Sequence, residues 1–470
     1  MQDNFSIVIL GATGDLAKKK LFPAIYRLMQ TRKIGKKFSV IAASRRNYDK
    51  EGFLGFVKPH IKNLNKKTWK DFAKRVYYER IDFDEDDGFR QLGFFLTSSE
   101  KKHNTHGNTL FYLATLPNHF KNIAQKLKKY CINKNGFTRV VFEKPFGNDE
   151  QSAKKLNHEV SKVFSEKQIF RVDHYLGKDL VQNISIIRGT NRLFTPLWNS
   201  ENVDHVQINL IENFGVENRG NFYDNQGALK DVAQSHLLQL LCLIGMEIPS
   251  NLDASSIRQE KVKLLKAVRK IRKQDVVLGQ YKGYSKESGV KQNSKTETFF
   301  AVKLYVENKR WKGTPFYLRS GKSLAKTFAS IYIQFKGLNK TIFNGEKIEP
   351  NYIVIQIQPD DGMLVKINGK LPGKKMKITP MKLTFSHERS FKPNTTEAYE
   401  TIVYDALEGD QSAFIRSDEI IQSWKIIDWI TKNKPKVFGY TKGSFGPKKA
   451  DKFLLKDKRE WFNKIENVAQ

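Results

Sequence analysis

The sequence predicts an α/β protein in two parts, an N-terminal doubly wound, Rossmann-like domain and an α+β C-terminal domain with a large, mostly antiparallel sheet. Three observations carry this. Between residues 6 and 172 short β-rich runs alternate with longer helical patterns. Several runs, SIVIL, VIAA and RVVF, are nearly continuous in apolar residues, as strands buried on both faces of a parallel sheet require. After Asp173 the rhythm changes to long strands with few intervening helices. The domains are therefore placed at 1–172 and 173–470.

In the first domain strands are expected at 6–10, 38–43, 76–81, 108–113, 138–142 and 168–172. In the second they are expected at 203–211, 299–306, 315–319, 329–335, 353–357 and 363–367, with helices at 227–244, 255–270, 397–407 and 418–431. The segment 281–298, rich in Lys, Ser and Gly, reads as a solvated loop, and the chain has no internal repeat.

Composition excludes several classes. With 39% hydrophobic and 12% aromatic residues over 470 positions, the chain can bury a sizeable core and is not disordered. The most apolar stretch, 233–248, is interrupted by Gln234, Ser235, His236, Gln239 and Glu247, so no membrane span is expected. The first ten residues lack a basic leader and a cleavage site and read as the first strand, while Cys131 and Cys242 have no metal-ligand or CxxC spacing. A reducing cytoplasm is the expectation, and no metal site is. The 82 Lys and Arg against 49 Asp and Glu leave a net charge of +33. The lysines are scattered instead of alternating with aromatics along one element, so biased usage explains them better than a nucleic-acid surface. Such a field still attracts phosphorylated small molecules.

The run GATGDLAKKKL places Gly11 at the end of the first strand and Gly14 at the mouth of a helix, with Thr13, Asp15 and Leu16 in the turn. Glycines there let the backbone approach a pyrophosphate at the positive helix end, although GxxGxxA is a looser pattern than GxGxxG. Leu21, Ile25 and Leu28 keep helical spacing, and Pro23 is expected to kink or divide the helix. After the second strand stand Arg45 and Arg46, where an NAD site would usually place an acid on the ribose; arginine favours the 2′-phosphate of NADP. Asp49 and Glu51 follow and leave NAD use open.

At the end of the strand 138–142 lies Glu143-Lys144-Pro145-Phe146-Gly147, where Lys144 could bridge cofactor and sugar and Pro145 is a candidate for a cis peptide. Asp173, His174, Tyr175 and Lys178 follow the next strand within six residues. An imidazole, a phenol and an ammonium so close together can donate to one phosphate dianion, whereas a polar loop that caps a helix, with Asp173 as the N-cap, is the plainer alternative.

Taken together, GATGDLAKKKL, YLATLP, FEKPFG, RVDHYLGKD, GNFYDNQGALKDVAQSHLLQLL, FYLRSGKSLAK and GSFGP, in this order along nearly the whole chain, resemble the glucose-6-phosphate dehydrogenases. By periodicity alone His236 points with Leu229, Val232, Ala233 and Leu240 and reads as a core histidine. The resemblance instead makes it the base that takes the C1 hydroxyl proton while hydride leaves C1, a task suited to a neutral imidazole. It gives Asp173 the carboxylate role on the other ring nitrogen. His174, Tyr175 and Lys178 are implied to hold the 6-phosphate, Glu212 and Asp231 the sugar hydroxyls, and Lys322 and Lys144 to contact substrate, Lys144 also touching NADP. In a regular helix Asp231 and His236, five residues apart, would lie about 140° apart around the axis. The implied reaction turns β-D-glucose 6-phosphate into 6-phosphoglucono-1,5-lactone with NADP, the entry to the oxidative pentose phosphate route. A homodimer or homotetramer built through the sheet domain is implied as well.

The chain departs from the family pattern at Leu116, Asn218, Asp179 and Thr327, with Lys326 one step before the usual second basic residue. Two rival readings are a sugar oxidoreductase with an unphosphorylated substrate and a basic nucleic-acid-binding protein on a lapsed dehydrogenase fold. The cluster His174, Tyr175, Lys178 argues against the first, and the full set of site residues against the second.

Overall fold

A computed structural model describes residues 2–132, 135–338, 348–373, 377–391, 396–433 and 435–466, and its strands are numbered in chain order. The first unit comprises Met1–Lys178, Asn251–Arg258 and Thr396–Ile421. Its sheet contains β1 (Phe5–Leu10), β2 (Phe38–Ser44), β3 (Val76–Arg80), β4 (Thr109–Leu113), β5 (Thr138–Phe142), β6 (Ile169–Val172) and β15 (Phe414–Ile415). The order is β15-β6-β5-β4-β1-β2-β3, with β1 to β6 parallel and β15 antiparallel to β6. Every residue of β1, β2 and β4 is buried, which is why these strands read as apolar runs without alternation. The strand order reverses between β1 and β4, and in doubly wound sheets the crevice beyond the strand ends at that point takes the ligand.

The second unit comprises Asp179–Ser250, Gln259–Thr395 and Gln422–Gln470. It contains β7 (Val203–Ile211), β8 (Val276–Tyr281), β9 (Phe299–Tyr305), β10 (Pro315–Gly321), β11 (Phe328–Phe335), β12 (Tyr352–Gln358), β13 (Gly362–Lys370), β14 (Ile378–Ser386) and β16 (Val437–Tyr440). These form one sheet, β14-β13-β12-β11-β7-β10-β9-β8-β16, antiparallel except for the pairs β7/β10 and β8/β16.

All twelve expected strands are present. The four that were not expected have physical reasons. Gly279 interrupts the apolar run of β8, Pro380 sits inside β14, and β15 and β16 are two and four residues long. Proline is tolerated in β14 because that strand is an edge. The boundary read at 172/173 lies six residues before the end of the first unit's leading segment, and the later segments 251–258 and 396–421 return to that unit.

Two helices also differ from a regular reading. The first contains a π-helical turn, Ala17–Leu21, ahead of the α-helix Phe22–Gln30, and Pro23 lies at their junction inside a continuous helix, where it divides the two bonding patterns without ending the helix. The expected single helix over 227–244 is three: Gly220–Ala228 with a break at Gly227, the π-helix Leu229–Leu237, and the α-helix Leu238–Gly245.

The segment returning at 396–421 closes the first unit's sheet through Phe414, which is fully buried and packs edge-on against Phe170 with ring centroids 4.9 Å apart. Truncating it removes that apolar area and leaves a cavity, so Phe414→Ala is expected to destabilise the protein by about 3–5 kcal/mol in denaturant unfolding. A loss below about 1 kcal/mol would show that β15 does not close this sheet.

Candidate functional site

The glycine turn is fixed by the backbone of its neighbours. Gly11 has φ +91°, and a Cβ there would stand 2.4 Å from the Ala114 carbonyl oxygen at the end of β4. Only glycine fits where β1 and β4 part. The Gly11 and Ala12 N–H groups donate to the Ala43 carbonyl (2.9 and 3.1 Å), and Gly14 N–H donates to Gly11 (3.0 Å). Three hydroxyls then link the turn to the arginine pair: Thr13 donates to Ser44 (3.1 Å), Ser44 lies 2.8 Å from the Tyr78 hydroxyl, and Tyr78 donates to the Arg46 carbonyl (2.5 Å). Ser44 and Tyr78 were not legible as site residues, because nothing in their spacing singles them out. Arg45 and Arg46 are exposed directly beyond β2. Asp49 caps the helix Lys50–Val57 through the Gly52 N–H (2.8 Å), which takes one of its two carboxylate oxygens. Asp15 is exposed and pairs with Lys18 and Lys19, and Leu16 packs against the core.

Beyond β5 the Lys144–Pro145 peptide is cis. The adjoining Glu143 accepts from the Tyr112 hydroxyl at 2.6 Å, and burial pushes its carboxyl up to about 7 against that bond and the Lys144 charge. After β6 the chain turns sharply: Asp173, buried, accepts the Tyr175 N–H at 3.0 Å. This turn gathers the His174 and Tyr175 rings at 5.1 Å and sets the Lys178 ammonium 5.6 Å from the Tyr175 ring. Tyr399, carried by the returning segment, stacks on His174 at 6.5 Å, a neighbour that sequence order could not reveal.

In the second unit the parallel pair β7/β10 sets Ile211 beside Gly321, so the residues that follow, Glu212 and Lys322, leave adjacent strand ends together. Their charges meet at 2.6 Å. The Lys322 ammonium also lies 5.0 Å from the Phe214 ring and 5.3 Å from that of buried Tyr223. Burial raises the Tyr223 phenol well above its usual value, and the charges of Asp231, Glu297 and Glu212 add to this. Tyr223 thus stands beside Lys322 and in the field of Glu212 and Asp231, the three residues that the family resemblance implies for the sugar.

His236 is buried, in the last turn of the π-helix that carries Asp231, which is partly exposed. In i→i+5 bonding each turn takes more residues than in an α-helix, so residues five apart lie closer together around the axis. The expected separation of about 140° therefore shrinks for Asp231 and His236. Lys326 is exposed, whereas Thr327 donates to Asn213 (2.7 Å) and accepts the Asn213 N–H (2.9 Å), tying the end of β7 to the start of β11. Leu116 is 62% exposed beyond β4.

The glucose-6-phosphate dehydrogenase NAD binding domain model matches residues 8–183, and that of the C-terminal domain matches 185–462. The chain belongs to the glucose-6-phosphate dehydrogenase family. It is 40% identical to glucose-6-phosphate 1-dehydrogenase of Bacillus subtilis over 478 residues, covering 97% of this chain and 98% of that one. A solved glucose-6-phosphate dehydrogenase in complex with its substrate glucose 6-phosphate superposes with TM-score 0.93 at 35% identity, covering 98% and 99% of the two chains. The Mycobacterium avium enzyme superposes at 0.88 with 30% identity, covering 99% and 100%. As a family member the chain is an oxidoreductase with a pyridine-nucleotide-binding domain over residues 8–183.

The glycine turn's geometry fits such a ligand: Gly11 lets the chain pass against the end of β4, and Gly14 puts no side chain at the helix mouth, where a Cβ would meet only the Gly11 carbonyl oxygen at 3.2 Å. Gly11→Ala would drive a methyl group against Ala114 at an unfavourable φ. It is expected to weaken pyridine-nucleotide binding at least about tenfold by calorimetry. Unchanged affinity would remove the turn from the site.

Proposed function

We propose that the chain oxidises β-D-glucose 6-phosphate to 6-phospho-D-glucono-1,5-lactone with NADP, the first step of the oxidative pentose phosphate pathway. The observation that carries the phosphorylated substrate is the packing of His174, Tyr175 and Lys178 into one turn after β6. Three different donors on so short a segment suit a tetrahedral dianion.

His236 is assigned the base that takes the C1 hydroxyl proton, and Asp173 the carboxylate that stabilises the resulting imidazolium. Glu212 and Asp231 accept from sugar hydroxyls, and Lys322, already ion-paired with Glu212, donates to the sugar beside it. Lys144, fixed by the turn after β5, is assigned to both substrate and cofactor. A bound NADP supplies the hydride acceptor. Its pyrophosphate would be held at the turn formed by Gly11, Thr13, Gly14, Asp15 and Leu16. Arg45 and Arg46 support NADP over NAD, because both guanidinium groups are exposed beyond β2 and Asp49 has one carboxylate oxygen committed to a helix cap. A homodimer or homotetramer and a cytoplasmic location complete the proposal; among the described residues no helix is long and apolar enough to cross a membrane.

Three substitutions test these assignments. His236→Asn is expected to lower kcat by at least about a thousandfold with a modest change in KM, and near-normal turnover would remove the base. Arg45→Ala should raise KM for NADP at least about tenfold more than KM for NAD, whereas equal changes would refute contact with the 2′-phosphate. Lys178→Ala should weaken glucose 6-phosphate by about 2 kcal/mol in kcat/KM and leave any glucose oxidation nearly unchanged. Equal losses for both sugars would mean that Lys178 does not read phosphate.

A further inference from the structure

Glu297 stands two residues before β9, in a segment that reads as loop, yet it is bonded to the start of the helix that carries Asp231 and His236. Its backbone carbonyl accepts the Ala228 N–H at 3.0 Å, and its carboxylate accepts the Leu229 N–H at 3.1 Å. Leu229 is the first residue of the π-helix. Gly227, just before, has φ +68°, and a Cβ there would lie 2.3 Å from Glu297 Oε1. Glycine at this one position is what allows the carboxylate to reach the helix end.

The same segment holds the other half of this unit's cluster. Thr298, next in the chain, accepts the Lys322 N–H on its carbonyl at 2.9 Å, and β9 pairs Phe299 with Gly321 of β10. The Tyr440 hydroxyl closes the junction by donating to the Lys322 carbonyl (2.7 Å) while lying 2.9 Å from the Thr298 hydroxyl. Residues 297–298 are therefore a clip between the helix of Asp231 and His236 and the strand end of Lys322. A carboxylate at a helix start satisfies an orphan N–H and answers the helix dipole, which fixes the helix by its first turn.

The charged and titratable groups facing Glu297 are Lys230 on the π-helix, Tyr223 on the helix before it and Tyr284 on the loop after β8. Burial pushes the carboxyl up to about 7, opposed by the Leu229 N–H and the Lys230 charge.

We propose that Glu297 is a positioning residue, whose carboxylate oxygen sets the π-helix against the Lys322 strand end and so aims His236 and Asp231 at the sugar. This rests on the reading of His236 as the base. It does not make Glu297 a catalytic residue, since nothing places it on the reacting atoms.

The test is a double-mutant cycle on the full chain, measuring kcat and KM for glucose 6-phosphate at saturating NADP, with thermal unfolding as the check on folding. Glu297→Ala, which removes the acceptor, is expected to lower kcat about 10- to 100-fold with a smaller change in KM. Glu297→Gln, which keeps an acceptor oxygen, should stay within about threefold of the parent. In the His236→Asn background Glu297→Ala should lower the residual rate by less than about threefold, because the base it aims is gone and only the aim of Asp231 is left to lose. Should the alanine variant not fold, Glu297→Asp withdraws the acceptor by one methylene while keeping the charge, and at least about a tenfold fall in kcat is expected. The proposal is overturned by parental kcat in the folded alanine or aspartate variant, by a glutamine variant as impaired as alanine, or by the same loss in both backgrounds. Near-normal turnover of His236→Asn alone would instead remove the base assignment, and the single Glu297 variants would still report on the clip.

Discussion

The parallel register of β7 and β10 is the constraint on which the chemistry proposed for the second unit depends. Because Ile211 pairs with Gly321, the next residues, Glu212 and Lys322, emerge at the same height and their charges meet at 2.6 Å. A slip of one residue would turn each side chain to the opposite face of the sheet and part the pair. The antiparallel pairing of β9 with β10 extends the arrangement, setting Thr298 against Lys322 and Glu297 against the π-helix. Acid, ammonium and imidazole are thus carried by strand ends and a capped helix, the rigid supports that a positioned site requires.

In the first unit the corresponding constraint is the reversal of strand order between β1 and β4. It opens the crevice, forces glycine at position 11 and puts the end of β2 alongside, where a run of hydroxyls joins Thr13 to the backbone of Arg46. The turn after β6 belongs to the same edge of the same sheet, since β6 runs parallel to β5. The net charge of +33 gives both anionic ligands of the proposed reaction a favourable long-range field, while selectivity rests on the local donors.

Much of this was legible in the sequence, for identifiable reasons. Buried parallel strands announce themselves as unbroken apolar runs, and both SIVIL and RVVF lie where such strands are found. The DHYLGK turn was legible because its donors are contiguous. What escaped were contacts between residues far apart in sequence, such as Tyr399 against His174, Tyr78 against Arg46 and Glu297 against Leu229. Periodicity also failed at 229–237, because it presumes a 3.6-residue turn. The π-helix changes which residues share a side, so Asp231 and His236, which a regular helix would separate by about 140°, lie closer around the axis. His236 itself could be picked out only by resemblance, its burial being that of an ordinary core residue.

The central claim is a dehydrogenase that requires the phosphate on its sugar. Its most direct test is the steady-state reduction of NADP by the purified chain with glucose 6-phosphate and with glucose, followed by absorbance of the reduced nucleotide. The account predicts turnover with glucose 6-phosphate and a kcat/KM at least about a hundredfold lower with glucose, the loss expected when several charge-assisted bonds are missing. Comparable rates with the two sugars, or no turnover of either by folded protein, would contradict it.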